Sequence, residues 1–430
     1  MNPTSLGLRA VRRLASNDAL DRLGVRERVE KIVYRSTRDG FKAANGAGRT
    51  FVAASRLGKP ARQRTAGSEL FDLTPSEDQQ MLQESFRDFA AARLRPAALD
   101  ADAKAMAPEE LLKELAELGL TMIGVPEELG GVMTERSAVA TVLTAEALAH
   151  GDMGLAVAAL APGGVATALS LWGDADHQST YLPALVGDDV PAAAIALLEP
   201  RALFDPFDLK TTAKRQGDDY VLDGIKAMVP RAAQAELLLV AARMDNGQNA
   251  LFIAEDGILA RPTPAMGVRA AATGEIMLEG LRVPATALLG DGDPAVYAEC
   301  VRRARLAWCA LSVGTAQAVL DYVIPYVNDR KAFGEPISHR QAVAFAVADI
   351  AVELEGMRLI TLRAAARADA GKSFAREVAL ARHLCSEKGT RIGSEGVQLL
   401  GGHGYVKEHP VERWYRDLRA TGVMEGGLLA

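Results

Sequence analysis

The sequence predicts an α+β multidomain chain: an N-terminal helical domain, a central small β-barrel and a C-terminal four-helix bundle. Three observations predict it. Apolar residues recur at helical spacing between Leu73 and Trp172. Between Val190 and Leu289 the apolar runs shorten and turn residues crowd in. From Pro294 onward long helical patterns return. The expected divisions are a basic helical leader or arm at 1–68, the N-terminal helical domain at 69–189, the β domain at 190–290 and the bundle at 291–430.

The leader is set apart by charge. Residues 1–68 hold 15 Lys+Arg against 5 Asp+Glu, whereas the whole 430-residue chain carries −6. An acidic body behind a basic leader does not suit a nucleic-acid-binding core. Two amphipathic candidates, Ser5–Ala15 and Asp18–Tyr34, lie in this leader. Three readings of it stay open: a solvated arm making peripheral membrane contact, a cleaved organellar presequence, or an arm that docks a partner. The expected location is cytoplasmic, or the mitochondrial matrix if the leader is a transit peptide. No run approaches the roughly 20 apolar residues a membrane span requires, which argues against an integral membrane protein.

Thr74-Pro75-Ser76-Glu77 is an N-cap with Pro in the first turn, and Met81, Leu82, Phe86 and Phe89 follow at helical spacing; Pro96 is expected to end this helix. Pro108 opens a second helix that Gly119 stops. Thr134–His150 and Gly163–Trp172 repeat the signal. Strands are expected at Ala192–Leu198, Tyr220–Val229, Leu237–Ala242, Ala250–Ala254 and Glu275–Val283, parted by turn pairs such as Gly217-Asp218, Asp223-Gly224 and Asn246-Gly247. Val301–Asp329, Arg340–Ala370, Phe374–Leu400 and Val411–Arg419 then give four helical segments.

Several chemistries are absent by pattern. The three cysteines (Cys300, Cys309, Cys385) have no paired spacing, and the six histidines have no i, i+4 pairing, so no metal site is expected. No nucleophile elbow occurs. Gly371-Lys372-Ser373 mimics the end of a phosphate loop, but the required upstream glycine is Ala366. Gly401-Gly402-His403-Gly404 follows a helix rather than a strand, so it is not a dinucleotide-binding turn of the Rossmann kind.

A series of short segments remains. Gly119-Leu120-Thr121 leads to Val125-Pro126-Glu127-Glu128-Leu129-Gly130-Gly131. Tyr181-Leu182-Pro183-Ala184-Leu185 and Glu199-Pro200 precede the β region, and Gly267-Val268-Arg269 through Leu281-Arg282-Val283-Pro284 to Leu289-Gly290 closes it. Arg330-Lys331-Ala332-Phe333-Gly334-Glu335-Pro336-Ile337, Gln341, Gln398-Leu399-Leu400-Gly401-Gly402, Arg416-Asp417 and Met424-Glu425-Gly426 complete the order. From about Leu73 to the C-terminus, this series resembles the acyl-CoA dehydrogenase family of flavoenzymes.

The resemblance implies FAD as cofactor, an acyl-CoA thioester as substrate and an electron-transferring flavoprotein as electron acceptor. It implies a homodimer or homotetramer and α,β-dehydrogenation to a trans-2-enoyl-CoA. Glu425 is then the base that takes the α-proton. The alternative family position for a base, on the first long C-terminal helix, is here Ala304 and cannot act. Gly426 would let the backbone come close to substrate. Arg305 either steadies the bound thioester or pairs with a helix carboxylate. Arg330, Phe333, Gln341, Gln398, Gly401 and Gly402 resemble contacts to the adenine and pyrophosphate of FAD across a subunit interface; as plain structure, Phe333 would be a core aromatic and the glycines a helix stop.

The sequence departs from the family where the flavin ring is held. Leu198 replaces a threonine, Leu203-Phe204 a small Gly-Ser turn, Met228-Val229-Pro230 a Trp-Ile-Thr run, and Gly427 another threonine. Either the pocket is remodelled for an unusual acyl group, or the chain is a non-catalytic subunit of a hetero-oligomer. An acyl-CoA oxidase or flavin monooxygenase on the same scaffold is a third reading.

Overall fold

A computed structural model describes residues 73–133, 136–187 and 189–426. The leader at 1–68 and Gly427 lie outside the described residues. Ser76 opens the first helix with a reciprocal cap, its hydroxyl accepting from the Gln79 amide while the Gln79 side chain accepts from the Ser76 amide. Helix α1 (Glu77–Phe89) does not end at Pro96. A π-turn over Ala90–Leu94 passes the chain into α2 (Arg95–Lys104), with Pro96 in that segment's first turn, where its missing N–H is tolerated. Helix α3 (Glu109–Glu117) follows Pro108 and stops before Gly119, whose φ is 77°.

Helix α4 (Ala138–Gly151) and α5 (Met153–Trp172) are joined through Asp152, which caps α5 by accepting from the Leu155 amide. Helix α5 is longer than the sequence suggested, and with α7 below it corrects the membrane reading. Both are long and apolar enough to span a bilayer, at mean hydropathies of 1.7 and 1.3, yet about two thirds of each apolar window is buried within the protein. Helix α6 (Ala175–Leu185) was not expected; Asp174 caps it and Pro183 sits inside it, which breaks its apolar period.

The β region is a curled seven-stranded sheet. Its strands are β1 (Ala193–Ala196), β2 (Thr212–Gln216), β3 (Asp219–Val229), β4 (Leu237–Met244), β5 (Asn249–Ala254), β6 (Leu259–Pro262) and β7 (Gly274–Pro284). Strand β4 is central, pairing with β5 on one side and with β1 and β2, both parallel, on the other; β2–β3–β7–β6 continue antiparallel. Its first six residues are all buried, as a strand covered on both faces requires. The edges β5 and β6 do not pair among the described residues, so the expected barrel is an open, curled sheet. Strands β2 and β6 escaped the sequence reading because both are short and mostly exposed, and β2 is also polar.

The C-terminal region has three long helices and one short one, rather than four of comparable length: α7 (Pro294–Asp329), α8 (Gln341–Asp369), α9 (Ala375–Leu400) and the seven-residue α10 (Val411–Asp417). A two-stranded hairpin, β8 (Lys331–Ala332) with β9 (Glu335–Pro336), links α7 to α8. One apolar core runs from α1–α5 into Leu306, Trp308 and Leu311 of α7, Leu362 of α8 and Met424, so N- and C-terminal helices share an interior. Buried ion pairs fix α10 on this core. Arg413 donates to Asp152 at 2.8 Å, Arg416 grips Asp102 through two bonds of 2.9 and 3.0 Å, and Asp417 accepts from the Val268 amide at 2.6 Å. The segment that leaves α10 therefore starts from a fixed point, and it carries Glu425.

Candidate active site

Tyr297, Val301, Arg305 and Trp308 recur every three or four residues, which places them on one face of α7. That face meets the Met424–Gly426 segment. Arg305 donates from Nε to the Glu425 carbonyl at 3.0 Å, and Trp308 donates from its indole to Glu425 Oε1 at 3.4 Å. From α9, the buried guanidinium of Arg382 donates to the carbonyl of Met424 at 2.5 Å and to that of Gly426. Three successive carbonyls are thus held by two arginines. Between them Glu425 has a φ of 58°, a left-handed backbone rarely adopted by a side-chain-bearing residue.

Glu425 is buried, and its Oε2 has no hydrogen-bond partner. Burial pushes its carboxyl above the ordinary carboxylate range; Arg382, the Trp308 indole, Arg305 and Lys226 all act in the opposite sense without offsetting it. Lys226, on β3 where a bulge breaks the register, is fully buried; its ammonium lies 3.2 Å from the Leu197 carbonyl and 3.2 Å from Glu199. Burial draws Lys226 down to about 8 against the pull of Glu199. Burial acts to raise Glu199, but Lys226 and the amides of Lys210 and Thr211 hold it below its ordinary value.

The structure places both Arg305 and Gly426 beside Glu425. Arg305 grips the backbone of the Glu425 segment rather than a helix carboxylate. Gly426, at φ 103°, faces the β region: a Cβ there would lie 2.7 Å from Pro206 Cδ and 3.1 Å from the Phe204 carbonyl. Its lack of a side chain seats the Phe204–Pro206 segment. That segment is fastened by the Tyr297 hydroxyl donating to the Pro206 carbonyl at 2.5 Å, by Phe207 packed edge-on against Tyr297, and by Arg201 lying over the Phe204 ring at 5.4 Å. Ala304 packs against the β core and brings no acid to the site.

The remaining predicted residues gather elsewhere. Arg330 ends α7, Phe333 sits in the β8–β9 turn, Gln341 starts α8, Gln398 lies in the last turn of α9, and Gly401-Gly402 follows it. All are exposed, Phe333 at 97%, so Phe333 is not a core aromatic. Tyr326 ties the two helix ends together by hydrogen bonds to the Leu400 carbonyl and to His403. From Arg305 to Arg330 along α7 is roughly 37 Å at 1.5 Å per residue. The two sets therefore do not meet within one chain.

As a test of fit for FAD, the exposed end offers cations, amide side chains, an uncovered aromatic ring and a glycine pair with nothing within 4 Å of either Cβ position, which suits a pyrophosphate and an adenine. The orphaned Glu425 Oε2 suits a base facing a reacting group. At the ring end, Leu198 and Phe204 are buried, Met228 has a φ of 54°, and the Phe204–Pro206 segment rests on Gly426.

Sequence reasoning missed Trp308, one turn beyond Arg305, and Arg382, a charge inside an otherwise buried stripe of α9 formed with Val378, Ala381 and Cys385. A buried cation at helical spacing was the available signal.

Comparison with known proteins agrees with the segment order. Family models match residues 76–189 (acyl-CoA dehydrogenase, N-terminal domain), 194–281 (middle domain) and 294–427 (C-terminal domain). The chain is 36% identical over 367 residues to a Bacillus subtilis (strain 168) protein named "Probable acyl-CoA dehydrogenase YngJ", covering 83% of this chain and 96% of that one. Butyryl-CoA dehydrogenase from Megasphaera elsdenii superposes with a TM-score of 0.78 at 28% identity, over 84% of this chain and 97% of the other. The FAD complex of PigA gives 0.77 at 26% identity, over 83% and 96%. Fold, segment order and these likenesses agree: the chain belongs to the acyl-CoA dehydrogenase family of FAD-dependent oxidoreductases.

Proposed function

We propose that the chain catalyses α,β-dehydrogenation of an acyl-CoA thioester to a trans-2-enoyl-CoA, with Glu425 taking the α-proton. The observation that carries this reading is the setting of Glu425: a buried carboxylate with raised proton affinity, one oxygen oriented by Trp308 and the other unpartnered. An α-hydrogen beside a thioester is weakly acidic, and a dry carboxylate with raised proton affinity meets that demand. FAD, when bound, supplies the acceptor for the β-hydrogen. Arg330, Phe333, Gln341, Gln398, Gly401 and Gly402 would hold its nucleotide end. Because they lie far along α7 from Glu425, the cofactor is shared between two copies, in a homodimer or homotetramer. Electron-transferring flavoprotein is the proposed onward acceptor.

On this reading the Phe204–Pro206 segment, seated on Gly426 next to Glu425, moves aside to admit substrate. The test is the visible spectrum of protein reconstituted with FAD, followed by anaerobic bleaching with acyl-CoAs of graded chain length. Bleaching in the native protein, and retained colour without bleaching in Glu425→Gln, supports the reading. The contact of Phe204 and Pro206 with Gly426 favours a second reading, a non-catalytic subunit of a hetero-oligomer, which predicts colourless protein that co-purifies with a catalytic relative.

A further inference from the structure

We propose that Arg382 is the positioning residue of Glu425: its guanidinium spans the carbonyls on either side of that residue and fixes the carboxylate against Trp308. The proposal deepens the reading of Glu425 as the base and rests on it.

The geometry is specific. The Met424–Gly426 segment is not part of a regular element, and Glu425 within it holds a left-handed backbone. Such a conformation persists only where the surroundings over-determine it. Arg305 binds the middle carbonyl from α7, while Arg382 binds the outer two from α9. A peptide held at three consecutive carbonyls from two helices has little freedom to rotate, so the direction of the side chain between them is set. Two further features separate Arg382 from an ordinary structural arginine. It is 3% exposed, and its Nε and Nη1 have no hydrogen-bond partner, so its charge is not neutralised by a carboxylate bonded to it. Glu425, with its own orphaned oxygen, is the acid it faces, and among the cations around that acid Arg382 acts on it most strongly. The same side chain therefore acts on both the orientation and the proton affinity of the base.

The groups facing Glu425 come from three elements: Arg305, Trp308, Tyr297 and Cys300 from α7, Arg382 from α9, and Lys226 from β3 with Glu199 behind it. Removing Arg382 leaves two cations and frees two carbonyls. The carboxyl then binds its proton more tightly and loses its fixed direction.

The reporter is the Trp308 indole N–H, read by nitrogen–proton correlation NMR across a pH series on the full chain without FAD or acyl-CoA. Trp308→Phe assigns the signal among the three tryptophans. In the native protein the signal should titrate, and in Glu425→Gln it should not. In Arg382→Gln the midpoint should rise by the equivalent of at least a tenfold gain in proton affinity. In Arg382→Lys, which keeps the charge but whose Nζ ends one bond short of the Nη2 that serves both carbonyls, it should rise by about threefold. Should Arg382→Gln not fold, Arg382→Lys carries the test alone. An unmoved midpoint in every folded Arg382 variant overturns the proposal, as does an indole titration that survives Glu425→Gln. The measurement needs neither cofactor nor turnover, so failure of the dehydrogenase reading leaves its outcome separate. If the native enzyme turns over, Arg382→Lys should lower kcat with KM for acyl-CoA little changed, and should shift the pH profile upward.

Discussion

Phe204→Ala tests whether the segment over Glu425 is a movable cover. Phe204 is 4% exposed, packs in the β core and lies beneath the Arg201 guanidinium. Truncating a buried phenylalanine costs about 3–5 kcal/mol. Residues 71–430 form one unit, for which an unfolding entropy of about 2.1 cal/mol/K per residue makes each degree worth roughly 0.75 kcal/mol. The unliganded variant should therefore melt about 4–7 °C below the native chain. On the proposed reading the segment leaves Gly426 when the site fills, so the same packing free energy opposes FAD. If half of it is recovered on truncation, FAD affinity rises roughly 10- to 100-fold, at 1.4 kcal/mol per factor of ten. The assay is FAD titration followed by visible absorbance, with thermal unfolding measured with and without FAD. The gap in melting temperature should narrow as FAD is added. A variant that melts lower but binds FAD with native affinity would refute the cover.

Further outcomes follow from the buried charges and from Gly426. Lys226→Met breaks a buried pair and should cost about 3 kcal/mol in chemical denaturation at pH 7, the low end for such breaks because three backbone amide contacts still hold Glu199; Lys226→Met with Glu199→Gln should recover most of it. Because the folded lysine titrates near 8 and the unfolded one near 10.4, the unfolded chain binds the extra proton between those values. Native stability should then rise by about 3 kcal/mol from pH 8 to pH 10.4, a rise that Lys226→Met lacks. Asp417 is pushed up to about 8 by burial and by Asp152, so its contribution is present at acid pH and is lost as pH rises through 8; Asp417→Asn should flatten that decline in stability by a few kcal/mol. Gly426→Ala combines a positive φ with a clash against Pro206 and Phe204, and should lower stability by about 2–4 kcal/mol in urea titrations while unseating the covering segment.

The long elements were legible in the sequence because local signals agreed with tertiary ones. Arg340–Ala370 and Phe374–Leu400 were read within a residue of α8 and α9, since apolar period and the glycine stops at Gly371 and Gly401 coincide there. Where a signal was local and the constraint was not, the reading failed. Pro96 marks a helix end on its own, but a π-turn before it absorbs the mismatch and the buried Ala98 and Ala101 draw the helix onward. Strand β2, with its polar TAKRQ sequence, exists because β3 and β4 offer it partners, which no window of five residues reveals. The site shows the same division. Glu425 was found from its neighbours in the chain, whereas Arg382 and Lys226 reach it from 43 and 199 positions away in sequence. Their roles depend on how α9 and β3 are set against α7, and no spacing rule encodes that.

The cluster also bears on why the proposed base would need to be kept dry. Three cations near a carboxylate would, in a wet site, hold it ionised and weakly basic. Here burial outweighs all three, so the proton affinity of Glu425 rises although it sits in a positive field. That balance holds only while water is excluded, because Coulomb attraction is cheap to screen and desolvation is lost at once when solvent enters. The Phe204–Pro206 segment, seated on the bare Cα of Gly426 next to Glu425, is placed to contribute to that exclusion. On the proposed reading, a substrate displaces that segment and takes over its role in keeping water out. On this account a long acyl group, which covers more of the site than a short one, should raise the proton affinity of Glu425 in the complex further. Direct titration of the Trp308 indole with unreactive acyl-CoA ethers of increasing chain length measures it. A midpoint that falls with chain length would show that the protein dipoles, and not dryness, govern the base.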